Sequence, residues 1–358
     1  MIILAAVFFL IAFNYVIFTS MIHYILLNAP SDKKKDNPKD LMPISIIIAA
    51  KNEEKNLPEL FSSLHNLDYP KEKFEVIIID DNSTDNTQKL ISESGFKLVG
   101  AGTKNLPAKK GALEIGIRES IFDNILITDA DCEVPKNWLK IASRYFGKGA
   151  DFIFGIAPYF RTDSFAGKIA SFENLRSHIL TFTAALINKP YSAAGRNFGF
   201  KKSAFEKLDG YKNTTETLSG DDDLLLREAV KQKLKIKPVF NKDFFVFSEP
   251  PDNFKKYFKQ RARHTKTSHY YQKSTQIILG IWHSLNIVLT LSIFAAPFLP
   301  LLLFPFLIKF IGDSILVLLN QKKFGFKFGF GIPIYQFIYE LFLIIHFLNS
   351  LFRKDNWK

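Results

Sequence analysis

A single cysteine, Cys132, in 358 residues excludes an intrachain disulfide and fits a reducing compartment. No internal repeat is evident, so the chain does not read as a repeat array. No nucleic-acid motif accompanies the net charge of +12, which leaves anionic lipid or phosphate as the expected counterpart of the basic balance. A Gly-rich phosphate loop is missing after the first β-branched run, where Ala49-Ala50-Lys51-Asn52-Glu53 stands instead. That absence weighs against a nucleotidyltransferase. Apolar residues are not scarce: the chain is 47% hydrophobic and holds 37 Phe. It is too apolar for an ordinary soluble protein and too charged for a pure membrane bundle, so a mixture is expected.

The apolar segments divide the chain. Ile2–Leu27 is almost unbroken and long enough to span a bilayer core of about 30 Å. It lacks a basic leading region, and Asn28-Ala29-Pro30 is a poor cleavage site, so a retained anchor over 1–27 is expected. A basic linker, 28–42, carries Lys33-Lys34-Lys35, and the positive-inside rule puts the succeeding domain in the cytoplasm. Residues 43–250 read as a soluble α/β domain and 251–275 as an amphipathic interfacial segment. Over 276–352 come further apolar blocks at 277–297, 298–319 and 332–352. The first two are expected to form a hairpin. The third would leave Arg353-Lys354 outside unless it is re-entrant or interfacial, so the chain is expected to cross a membrane three or four times.

Within the α/β domain, Ile44-Ser45-Ile46-Ile47-Ile48-Ala49-Ala50 reads as a strand buried on both faces. A helical stretch comes next at 57–67, then strands at 74–79, 97–99 and 125–128. This alternation predicts a mainly parallel sheet with helices on both faces, and ligands bind such sheets at the carboxyl ends of the strands. Polar clusters stand at those ends: Lys51-Asn52-Glu53-Glu54, Asp80-Asp81-Asn82-Ser83-Thr84-Asp85 and Asp129-Ala130-Asp131. On an extended segment Asp129 and Asp131 would project to one side, and two hard oxygen ligands suit Mg²⁺ or Mn²⁺. The alternative is an acidic turn that caps the helix announced by Pro135 and Trp138.

These segments together resemble the family 2 glycosyltransferases with a GT-A fold. The likeness rests on Ser45–Glu53, Ile79–Asp85 and Asp129-Ala130-Asp131. Gly220-Asp221-Asp222-Asp223-Leu224 resembles the family's E-D-x-D-L segment, and Gln260-Arg261-Ala262-Arg263-His264 its Q-x-x-R-W segment. The flanking apolar segments resemble the membrane-bound branch, which includes cellulose, hyaluronan and ceramide glycosyltransferases. The resemblance implies Ala50 and Glu53 near the nucleotide, with Glu53 or Asp81 holding the uracil or ribose of a nucleotide-sugar donor, UDP-linked by preference. It implies Lys109 near the nucleotide, although Ala108 stands where the family has glycine. Asp129 and Asp131 would hold the metal, with Asp129 also on the donor side.

An inverting transferase needs a carboxylate to take the acceptor's proton. The resemblance puts that role on Asp221, with Asp222 one residue away as the alternative. Three consecutive aspartates repel, which should raise at least one pKa. They could equally open the helix after them, at its positive end. Arg261 or Arg263 would neutralise the diphosphate and Gln260 orient it or the acceptor, in a stretch that also reads as an interfacial helix. His264 replaces the family's Trp, so a lipid or otherwise unusual acceptor is expected rather than a growing glucan. Ala194-Gly195-Arg196-Asn197 resembles the family's acceptor-side stretch, with Gly195 allowing close approach to the sugar and Asn197 beside it. Residues 165–186 read as a partly amphipathic helix, structural in role. The expectation is a membrane-anchored, metal-dependent inverting glycosyltransferase acting on a lipid-linked or membrane-proximal hydroxyl. Its rivals are a polyprenyl-phosphate glycosyltransferase and a catalytically silent scaffold or export partner.

Overall fold

The computed structural model describes residues 2–29 and 40–352. Lys33-Lys34-Lys35 and Arg353-Lys354, on which the orientation expectation leans, lie outside the described residues. In chain order the elements are α1 (Ile2–Leu27), β1 (Ile44–Ala50), α2 (Leu57–His65), β2 (Phe74–Asp80), α3 (Thr87–Glu93), β3 (Lys97–Gly100), α4 (Ala108–Glu119), β4 (Asn124–Asp129), β5 (Cys132–Glu133), α5 (Trp138–Gly147) and β6 (Phe152–Gly155). They continue with α6 (Phe165–Leu186), β7 (Phe198–Lys201), α7 (Lys202–Lys207), α8 (Asp223–Lys231), β8 (Ile236–Val239), β9 (Phe247–Ser248), α9 (Phe254–Ser268), α10 (Lys273–Ala295), α11 (Leu303–Asn320) and α12 (Ile332–Phe352). The chain divides into two compact units. Among the described residues one joins 2–29, 161–187 and 250–352; the other joins 40–160 and 188–249.

The second unit is built on a seven-stranded sheet, in the order β3-β2-β1-β4-β7-β6-β8. Strands β1 to β4 pair in parallel, β7 runs antiparallel to β4 and β6, and β8 is parallel to β6. The isoleucines of β1 are buried on both faces, as central parallel strands require. Register decides where the acids go. Ala50 pairs with Asp80 and Ala49 with Asp129, so the ends of β2 and β4 lie beside the end of β1. Helix α4 approaches this sheet closely. A Cβ on Gly116 would come within 2.4 Å of Ile79 Cδ1 and 2.6 Å of Ile47 Cγ2, so only glycine keeps the helix at that distance.

The first unit is helical: α1, α6 and α9 to α12. Among the described residues three helical segments are long and apolar enough to cross a membrane: Ile2–Leu27, Lys273–Ala295 and Pro300–Phe324. The block at 332–352 is a helix, α12, that buries Gln336, Glu340 and His346. Helix α6 has the expected bounds but not the expected character. Glu173 and Arg176 are buried along with its apolar residues, so it is a core helix of this unit rather than one with a solvated face. It also interrupts the stretch 43–250 that reads as one domain in sequence.

Polar residues on five helices of this unit meet in one buried cluster. Arg176 Nη2 of α6 lies 3.0 Å from Asp313 Oδ1 of α11, and Lys309 Nζ lies 2.9 Å from Asp313 Oδ2. Lys309 also pairs with Glu340 of α12. Tyr15 of α1 donates its hydroxyl hydrogen toward Asn286 Oδ1 of α10 (2.8 Å) and Asp313 Oδ1 (2.9 Å). Two cations face two anions, and this pairing makes such burial tolerable.

Candidate active site

The acidic ends expected from the sequence are brought to one edge of the sheet, and local hydrogen bonds fix them there. The loop after β1 and the loop after β2 are stitched together. Asn52 Oδ1 accepts from Thr84 N (2.8 Å), Glu53 N donates to Thr87 Oγ1 (2.7 Å), and Glu54 Oε2 accepts from Asn86 N (3.1 Å). Asn52 and Asn82 both sit at φ 56°, a left-handed conformation that asparagine tolerates better than most residues. Glu53 Oε2 accepts from Asn56 Nδ2 at 2.6 Å. Ala50 gives its carbonyl to Asp81 N at 2.8 Å, which holds the two expected donor-side positions together. The Asp81 carboxylate is buried and accepts from Lys104 Nζ at 2.5 Å. Lys104 has no distinguishing pattern in the sequence.

Asp129 is the last residue of β4, and Ala130-Asp131 turn the chain into β5. The two carboxylates are therefore delivered by a tight turn and not by one extended segment. They do not cap α5, which starts at Trp138 with Asn137 at its N-cap. Both flank the buried Cys132 thiol, whose pKa is pushed well up by burial and then by Asp131 and Asp129. Asp131 Oδ1 lies 3.6 Å from Cys132 Sγ.

Lys109 is the hub of the site. Its ammonium lies 2.6 Å from Asp129 Oδ1 and 3.0 Å from Asp221 Oδ2, with the side chain only 12% exposed. Burial would lower its pKa, but the two carboxylates outweigh that and hold it well above the ordinary lysine value. The preceding Ala108 sits at φ 56°. This gives a physical meaning to the family's glycine at that position, because a Cβ there costs about 1 kcal/mol. Ala108→Gly is expected to raise the unfolding free energy by up to about 1 kcal/mol, read as a higher melting temperature. The next residue, Lys110, is buried and donates to the carbonyls of Thr214 and Thr217 (3.0 Å for the latter). It thus ties the start of α4 to the segment that leads into Asp221.

The three consecutive aspartates divide their work. Asp222 is the N-cap of α8: Oδ1 accepts from Asp223 N (2.7 Å) and Oδ2 from Gly195 N (2.6 Å). Asp223 Oδ1 accepts from Ala193 N at 3.0 Å. Burial, then the charges of Asp223 and Asp221, push the Asp222 pKa well above the usual carboxylate range. Burial pushes Asp221 the same way, but Lys109 prevails and its pKa is lowered. Burial and, after it, repulsion thus act on Asp222 in the same direction. Gly195 is needed for this packing, since a Cβ there would lie 2.9 Å from Asp222 Oδ2 and 3.4 Å from Asp221 Oδ2.

Asn197 departs from its expected place on the acceptor side. It is fully buried; Oδ1 accepts from Trp138 Nε1 (3.1 Å), and Nδ2 donates to the carbonyls of Ile156 (3.0 Å) and Phe244 (2.6 Å). Its amide is used up in joining α5 to the neighbouring loops. Its neighbour Arg196 donates to the Ala157 carbonyl (2.5 Å), with its guanidinium 4.6 Å from the Tyr159 ring centre. Gln260, Arg261, Arg263 and His264 all lie on α9, in the helical unit. There Arg261 Nη2 pairs with the buried Glu173 Oε1 at 2.7 Å, and Tyr257 also donates to Glu173. Tyr257 is buried on that helix, whereas Lys255, Lys256, Lys259 and His264 are exposed.

Among the described residues no group of three or more His, Cys, Asp and Glu side chains closes around a point. Asp129 and Asp131 nevertheless offer hard oxygens at an accessible edge, and the Asp129 carboxylate already accepts a cation, the Lys109 ammonium. A pair of carboxylates with a diphosphate and water completing the shell fits Mg²⁺ or Mn²⁺.

Residues 45–209 match the family model described as Glycosyl transferase family 2. The probable glycosyltransferase YdaM of Bacillus subtilis is 26% identical over 272 residues, which is 69% of this chain and 60% of that protein. A beta-monoglucosyldiacylglycerol synthase of Synechocystis is 35% identical over 108 residues, 29% of this chain and 22% of that protein. The chain thus spans less than two thirds of the length of either relative. A mannosyltransferase from Pyrobaculum calidifontis, solved with GDP-Man and Mn²⁺, shares the fold over 99% of this chain and 98% of its own, at 18% identity and a TM-score of 0.62. The mixed, mainly parallel sheet is the GT-A fold, and residues 45–209 are similar to the family 2 glycosyltransferases.

Proposed function

We propose that the chain transfers a sugar from a nucleotide-diphosphate donor to a hydroxyl on a lipid-linked or membrane-proximal acceptor, with inversion, at a cytoplasmic catalytic domain anchored by several membrane-crossing helices. The observation that carries this reading is the convergence of Asp129 and Asp221 on Lys109 at the carboxyl edge of a parallel sheet. Glu53 and Asp81 would bind the base or ribose, the carboxylate oxygens accepting from an imide or a hydroxyl. Asp129 and Asp131 would hold Mg²⁺ or Mn²⁺, which when bound would offset the negative charge that grows on the leaving diphosphate. Asp221, ionised at neutral pH, would take the acceptor's proton. Asp222, capped by two backbone N–H groups, would position Asp221 and Gly195 rather than act as the base.

A lipid acceptor is favoured by three helices fit to cross a membrane, by the basic and aromatic helix α9, and by the name of the Synechocystis relative. Arg261 and Arg263 would meet an acceptor headgroup. Mass spectrometry of lipid extracts from cells carrying the wild-type chain or Asp221→Asn tests the acceptor. Loss of one glycolipid in the variant is the expected result. Intact lipids with loss of an extracellular polymer would overturn the lipid reading.

A further inference from the structure

Two cations have a claim on one carboxylate. The Lys109 ammonium lies against Oδ1 of Asp129, whose carboxylate a divalent ion would also use, and against Asp221 Oδ2. Its backbone cannot follow a displaced side chain. Lys110 is bonded to the carbonyls of Thr214 and Thr217, and Lys104 Nζ holds the Ala108 carbonyl at 2.9 Å. Only the side-chain torsions of Lys109 are left to move the charge. Like charges that share an acceptor repel, and the Lys109 ammonium is largely shielded (12% exposed) although solvent screens part of the repulsion at Asp129 (37% exposed). A diphosphate offers the ammonium several new oxygen acceptors within reach of a lysine's flexible stem.

We propose that Lys109 is a tethered competitor of the divalent ion: without donor it occupies Asp129 and neutralises Asp221, and the donor's diphosphate draws it away. This rests on the reading of Asp129 and Asp131 as the ion's ligands. Lys109 thereby makes ion and donor binding cooperative, since each favours the arrangement that the other needs. The ion on its own binds weakly, and Asp221 loses its counter-charge only when the diphosphate is in place. An idle enzyme is kept from holding a charged, ion-loaded site open to water.

The test is Mn²⁺ binding by the full-length chain in lipid nanodiscs, followed by the electron paramagnetic resonance of free Mn²⁺, first alone and then with UDP or GDP. Lys109→Met is expected to tighten Mn²⁺ binding without nucleotide by about tenfold or more and to shrink the enhancement that nucleotide brings. Lys104→Met removes a charge at the same edge, on Asp81 rather than Asp129, and is expected to change Mn²⁺ affinity by much less. Lys109→Arg keeps the charge and is expected to keep the weak binding. Lys109→Gln repeats the measurement should the methionine variant fail to fold. Unchanged or weaker Mn²⁺ binding in the folded neutral variants, or an equal gain in Lys104→Met, overturns the inference. Asp131→Asn separates this from failure of the underlying reading. If wild-type Mn²⁺ binding is insensitive to Asp131→Asn, the ion site itself is wrong.

Discussion

Asp221→Asn is expected to lower kcat by about a thousandfold while leaving the donor's KM within a few-fold of wild type. Asparagine keeps the shape and can still accept from Lys109, so the site should assemble. What it cannot do is take a proton. Asp221 suits that task because Lys109 holds it ionised despite its burial. Asp222→Asn should behave differently. That side chain accepts from Gly195 N and Asp223 N, and its pKa is raised by burial and by its acidic neighbours. An amide would turn a donor toward one of two N–H groups and weaken the cap, costing about 1 kcal/mol of stability. Steady-state kinetics beside thermal melting distinguishes the two. A kcat loss in Asp222→Asn that matches or exceeds the loss in Asp221→Asn would reverse the assignment.

The second large effect lies in the helical unit. Removing one member of the Arg176–Asp313–Lys309–Glu340 cluster should destabilise the chain by about 3–5 kcal/mol, because the partner left behind is a buried, uncompensated charge. Asp313→Leu is the most severe of these, since Asp313 faces Arg176, Lys309 and the Tyr15 hydroxyl together. The double variant Arg176→Met/Asp313→Leu preserves neutrality and should recover much of the loss. Melting of the detergent-solubilised protein measures both. A double variant as unstable as the single one would mean that the cluster acts through packing rather than charge.

Legibility in the sequence depends on where the information resides. The parallel strands and their acidic ends could be read because each is local: a β-branched run, then a polar cluster. The resemblance singled out Asp129, Asp221 and Lys109, although only the structure brings the three together. Lys104 and Lys110 were not legible, since a lysine in a loop or a first helical turn looks the same whether it is solvated or bonded to distant carbonyls. Asn197 misled for a related reason. Its motif position suggested a ligand contact, and only tertiary packing reveals that Trp138, Ile156 and Phe244 consume its amide. The buried ion cluster is the extreme case. Arg176 and Asp313 are 137 positions apart in the chain (313 − 176) yet form an ion pair. Each by itself reads only as a stray charge in an apolar helix.

Nucleoside diphosphate release from a panel of UDP- and GDP-sugars, by the 358-residue chain in lipid nanodiscs with Mn²⁺, is the most direct measurement. Release is expected from at least one donor, stopped by chelation of the metal and lowered by about a hundredfold or more in Asp129→Asn and Asp131→Asn, with the fold retained. Release undiminished in both variants would contradict a metal-assisted transfer.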